Sequence, residues 1–178
     1  MVSHKRLFVV LSLLGLVICS AVAFRLHRGR SAETPDQELT KEFDEWKAYR
    51  TEVHRLREIV LNEEDPAKKN QAGKKLFQMA REEVGALAKD HTSRAFPRLV
   101  LLGEFSVSPL VEGLDDDVPE GTKEVYAILL AGVGSRDQEH LALLAEAVKS
   151  TRTEEGRRWA KKALHDAQEK LLDAEKAA

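Results

Sequence analysis

The sequence predicts an all-α protein: an N-terminal apolar helix that enters or spans a membrane, followed by a short irregular stack of paired helices. Three observations predict it. Turn formers and aromatics are scarce, with 10 Gly and 5 Pro in 178 residues and 6% aromatic residues, which argues against a β-sandwich or barrel. Apolar residues recur at helical spacing along most of the chain, with almost no alternating strand pattern. The one cysteine, Cys19, excludes a disulfide framework and a cysteine-based zinc site. The length suits about one domain.

Leu7 to Phe24 form 18 residues without a charge, preceded by His4-Lys5-Arg6 and followed by Arg25, Arg28 and Arg30. As a helix the stretch spans about 27 Å. That is slightly short of the hydrocarbon core, and the flanking arginines can snorkel to the interface. The preferred reading is an uncleaved single-pass anchor over residues 1–28. The alternative is a cleaved signal peptide, because Lys5-Arg6, the apolar run and Ala21-Val22-Ala23 meet its three requirements. Phe24 and the arginines beyond it weigh against cleavage. The basic flanks nearly balance, so the positive-inside rule does not fix topology. An N-terminal segment of export type places the body outside the cytoplasm. Gly15, Cys19 and Ala23 recur every four residues and offer a small-residue face to a second membrane helix.

Residues 29–37 are polar, contain Gly and Pro, and read as a linker to a helical domain at 38–178. The first soluble helix is expected from about Asp36 to Glu63. Leu39, Trp46, Val53 and Val60 lie seven apart, Tyr49 and Leu56 fall three after two of them, and Phe43 widens the face. Such a stripe either packs on its own domain or forms a coiled-coil or partner-binding helix; the bulk of Phe43 and Trp46 favours the first. Asp65-Pro66 reads as an N-cap and first helical position, opening a helix to about Lys89 whose apolar face is Leu76, Met79, Ala80, Val84 and Leu87. Lys68, Lys69, Lys74 and Lys75 form a solvated early part.

Beyond residue 92, Arg98–Glu104 and Pro109–Leu114 read as short helices. Asp115-Asp116-Asp117-Val118-Pro119-Glu120 stops one helix and starts the next, Val125–Gly134. Leu141–Val148 and a helix at about 152–176 follow. Pro109–Leu114 aligns with Leu143–Val148 at an offset of 34, and Glu120-Gly121 with Glu155-Gly156 at an offset of 35. With this steady offset, residues 92–166 resemble HEAT-type repeats, in which antiparallel helix pairs stack. Gly121-Thr122 stands where the family pattern has Val-Arg, and the second unit's Arg157 follows Gly156. The resemblance implies partner binding along the concave face of the second helices. That places Glu112, Glu139, Glu146 and Lys149 as exposed contact residues. The last helix carries Arg157, Arg158, Lys161, Lys162, Glu169, Lys170 and Asp173 on a wet outer face.

Charge excludes one class of partner. Five of the 28 basic residues lie in residues 1–30, which hold no acid, so 23 basic residues face 30 acidic ones beyond them. An acidic body is a poor nucleic-acid binder. The six histidines include no i,i+3 or i,i+4 pair. His54 and Glu58 share a helix face, yet zinc needs three or four ligands. Asp115-Asp116-Asp117 with Glu112 and Glu120 is the densest acidic cluster; it lacks EF-hand spacing and is expected to cap two helices. Gly132-Val133-Gly134-Ser135 fits a helix stop, and Ser106 and Ser108 have no base beside them. The expectation is a membrane-tethered, non-catalytic helical-repeat protein that presents an interaction surface and takes no metal or cofactor. The alternatives are a homo-oligomer assembled through the 36–63 helix, and a secreted helical enzyme acting around His54 and Glu58.

Overall fold

A computed structural model of the chain describes residues 35–90 and 94–177, and every regular element among them is helical. The anchor reading, with Leu7, Gly15, Cys19, Ala23 and Phe24, lies outside the described residues. Among those described, no helix is long and apolar enough to cross a membrane. In chain order the elements are α1 (Pro35–Asn62), α2 (Pro66–Lys89), α3 (Ala95–Leu102), a 3-10 turn (Gly103–Ser106), α4 (Val107–Leu114), α5 (Glu120–Gly134), α6 (Gln138–Lys149) and α7 (Glu154–Ala177). The chain divides into two compact units, Met1–Lys47 and Ala48–Ala178.

Helix α1 begins at Pro35, inside the stretch read as linker. Proline suits a first helical turn: its φ is already helical and that turn does not use its missing N–H. In the first unit the described part of α1 leaves Leu39 63% and Phe43 65% exposed. In the second unit the same stripe is consumed by the domain itself. Val53 and Leu56 are buried, and Tyr49, Ile59 and Val60 pack at the core's edge. The Arg98 guanidinium lies 4.6 Å from the centre of the Tyr49 ring and donates to Glu83 Oε1 at 3.0 Å, so α1, α2 and α3 meet around one half-buried ion pair.

Helix α2 starts as its sequence dictates. The Asp65 side chain accepts from the Ala67 amide at 2.8 Å, and Pro66 follows at the first position. Ala72, Leu76, Ala80, Val84 and Leu87 form its buried face. The break expected after Glu104 is instead a 3-10 turn whose Gly103 and Ser106 are buried, with Ser106 Oγ donating to the Gly103 carbonyl at 2.6 Å. The hydroxyl satisfies a carbonyl that solvent does not reach.

Helix α5 occupies the centre of the second unit and packs against α3, α4, α6 and α7. Tyr126, Ala127, Leu129, Leu130, Ala131, Val133 and Gly134 are all buried. The Tyr126 hydroxyl donates to the Val84 carbonyl at 3.0 Å, which fixes α5 to α2. Burial, with the Asp116 charge second, pushes this hydroxyl up to about 12. Gly134 has no room for a side chain: a Cβ there would lie 2.7 Å from a Leu144 methyl and 3.1 Å from Ala167 Cβ. On α7, Gly156, Ala160, Ala163 and Ala167 line the buried face together with Trp159 and Leu171. Its charged residues lie outside as expected, with Arg157, Arg158, Lys161 and Lys162 all exposed.

The aspartate cluster does not act as the sequence suggested. Helix α5 starts after Pro119 with no side-chain cap, and Asp116 and Asp117 are exposed. Asp115 reaches across to the entry of α7. Its carboxylate accepts from the Arg152 and Thr153 amides at 2.8 and 2.9 Å and from the Thr153 hydroxyl at 2.8 Å. Thr153 Oγ1 in turn accepts from the Gly156 amide at 2.9 Å. Asp115 is thus a cap in space, separated by 38 residues from the helix it serves.

Burial pushes the Asp115 carboxyl up, but the bonds from Thr153 and Arg152 outweigh it and hold it below its ordinary value of 3.8. The carboxylate's contribution to stability is therefore complete above pH 3.8 and is lost as pH falls through the lower, folded value. In urea titrations at neutral pH, Asp115→Ala should lose about 1–2 kcal/mol of unfolding free energy. The gap to wild type should narrow below pH 3.8.

Candidate functional site

Within the second unit, α1, the 3-10 turn and the start of α6 enclose an open groove of about 560 Å³. Val60, Leu61, Phe105 and Leu143 supply its apolar lining; Arg57, Glu104, Arg136, Glu139 and His140 supply its polar one. Two of the apolar members are exposed: Leu61 is 69% and Leu143 42% exposed.

The polar arrangement turns on Gly103. It has φ of 57°, a left-handed conformation that glycine alone adopts without strain. Its missing side chain also makes space. A Cβ built there would lie 2.7 Å from Arg136 Nη1 and 3.0 Å from Arg57 Nη2, so two guanidinium groups converge on one point. Arg57 donates to Glu104 Oε2 and rests 6.0 Å from the centre of the Phe105 ring. Arg136 donates through Nη2 to the Val100 carbonyl at 3.0 Å, near the negative end of α3.

His140 closes the polar side. Asp137 caps α6 by accepting from the His140 amide at 2.9 Å, and the same oxygen lies 2.8 Å from ring Nδ1. With the proton on Nδ1, that contact leaves Nε2 turned toward Glu104, 3.9 Å away. The backbone and ring bonds from His140 together hold the Asp137 carboxyl below its ordinary range. No serine or cysteine lines this groove.

Of the residues expected to contact a partner, only Glu139 lies in the groove. Glu112 sits in a separate polar cleft with Arg81, Ser108 and Arg152, where it accepts from Arg81 at 2.6 Å and Ser108 at 3.2 Å. Glu146 and Lys149 form an exposed i,i+3 pair at 2.6 Å. His54 and Glu58 have different partners, Arg50 for the first and Asn62 for the second. Among the described residues no three His, Cys, Asp or Glu side chains are grouped to hold a metal ion.

Arg57, Gly103, Glu104, Phe105, Arg136 and His140 carried no local sign of belonging together. Gly103 read as part of the short helix Arg98–Glu104, although a glycine followed by Glu-Phe between two apolar runs was the one available hint. No protein-family model matches the chain, and no curated protein or solved structure matches it.

Gly103→Ala should destabilise the protein by about 1–3 kcal/mol, since it combines left-handed strain with displacement of both guanidiniums. Thermal unfolding measures this. An unchanged melting temperature would contradict the convergence of Arg57 and Arg136 on that residue.

Proposed function

We propose that this chain is a membrane-tethered, non-catalytic helical-repeat protein that holds a protein partner at the bilayer surface. One observation carries the reading: an open groove whose apolar side chains, Leu61 and Leu143, stand in solvent between charged groups. An apolar surface rimmed by charge is what a protein interface needs, with a hydrophobic centre for energy and a polar rim for orientation. The uncharged stretch from Leu7 to Phe24 supports the tether, with the body on the extracytoplasmic side. Confinement to a surface raises the effective concentration of a neighbouring partner, so modest intrinsic affinity suffices. The stacking of short helices over residues 92–166 is in keeping with a HEAT-like organisation, in which neighbours bury faces that one helix pair leaves open. A second reading, self-association through the start of α1, draws on the exposure of Leu39 and Phe43.

The test uses the full-length chain in its membrane. Alkaline extraction should leave a protein of full intact mass in the pellet; release of a product trimmed near Phe24 would remove the tether. A photocrosslinker at Leu143 should join a second polypeptide of defined mass, and Leu61→Asp should abolish that adduct. A crosslink that survives Leu61→Asp, or none at all, would remove the groove from the reading. A crosslink only to another copy, formed equally from Phe43, would favour self-association.

A further inference from the structure

The two guanidiniums beside Gly103 say what kind of partner the groove accepts. Arg57 is neutralised by Glu104, with which it forms an ion pair. Arg136 is bonded to the neutral carbonyl of Val100, and it makes no ion pair among the described residues. Glu139, the other carboxylate of the lining, also forms none with it. In the open groove, water screens the two like charges from each other. An occupant that covers the apolar lining removes that water. If it is uncharged, it leaves the Arg136 guanidinium dehydrated with no carboxylate bonded to it, which is unfavourable. If it presents a carboxylate at Arg136, that guanidinium gains an ion-pair partner, to which its planar fork can donate two parallel hydrogen bonds.

We propose that the groove binds a peptide segment of a partner protein in which an Asp or Glu side chain lies next to bulky apolar side chains. The carboxylate sits on Arg136, and the apolar groups fill the space between Leu61, Phe105 and Leu143. This rests on the groove being the interaction surface, and it adds what that surface selects. The carboxylate gives specificity, because an apolar peptide without it strands Arg136, whereas an acidic peptide without apolar neighbours leaves the lining wet.

The probe is a phage-displayed library of random peptides, panned on the full chain in detergent micelles and counter-selected on Leu143→Asp. Enriched sequences should carry Asp or Glu beside Leu, Ile or Phe. In a synthetic peptide from that set, replacing the acid by its amide should weaken binding about tenfold, the size of one charge-assisted hydrogen bond. Arg136→Gln should weaken the parent peptide equally and leave the amide peptide unaffected; Arg136→Lys should recover only part of the loss. Enriched peptides that bind as tightly with the amide as with the acid would overturn the carboxylate preference while leaving the groove as an interface. A library that yields nothing sensitive to Leu143→Asp would overturn both. Because the amide exchange is made in the peptide, it does not depend on how any protein variant folds.

Discussion

Helix α5 buries more than half of its circumference, and the second unit is built around that constraint. Tyr126, Leu129, Leu130 and Val133 share one face of the helix, Ala127, Ala131 and Gly134 widen it, and all are buried, while Glu124, Ile128 and Gly132 form the exposed stripe. So wide a buried face needs more than one neighbour, and α3, α4, α6 and α7 supply them. Removing a fully buried leucine such as Leu130 would cost about 2–5 kcal/mol, a large part of the stability of a domain this size.

Two devices let the neighbours close in. One is the row of small residues where α5 meets α7, ending at Gly134 against Ala167, which brings the two backbones close together. The other is polar. Asp115 collects the amides at the entry of α7, and Tyr126 reaches the backbone of α2, so two long-range hydrogen-bond systems fix positions that packing alone would leave loose. The groove follows from this framework: α6 leaves α5 through a three-residue turn carrying Arg136, while the 3-10 turn hands α3 on to α4 and presents Glu104 and Phe105 opposite it. Glu104, Phe105 and Arg136 of the groove's lining are thus placed on connections between rigid elements.

Most of the fold was legible in the sequence because helix signals are local. The stripe through Val53 and Leu56, the Asp65-Pro66 start and the apolar run of α5 each lie within a few residues, and each forms in the structure. The start of α1, expected at about Asp36, falls at Pro35, a proline that reads equally as linker or as first helical turn. The site was hardly legible at all. Arg57 and Glu104 are 47 residues apart and Arg136 and Val100 are 36 apart, and no spacing rule joins such pairs. Asp115 shows the same limit: its neighbours in sequence pointed to local capping, whereas its partners lie at the start of α7, three elements after the α4 that it ends. The HEAT-type resemblance placed Glu112, Glu139, Glu146 and Lys149 on one expected surface; Glu139 lines the groove, Glu112 lines the cleft that includes Ser150, and Glu146 pairs with Lys149.

The claim beneath all of this is that α5 is the buried pivot that holds the groove's walls in place. Hydrogen–deuterium exchange of the full chain, resolved by peptide, measures it most directly. Amides from Tyr126 to Val133 should be the last to exchange and should open only with global unfolding, while those of α1 before Lys47 exchange early. If the amides of α5 exchange as fast as those of α6, the pivot does not exist and the groove has no fixed geometry.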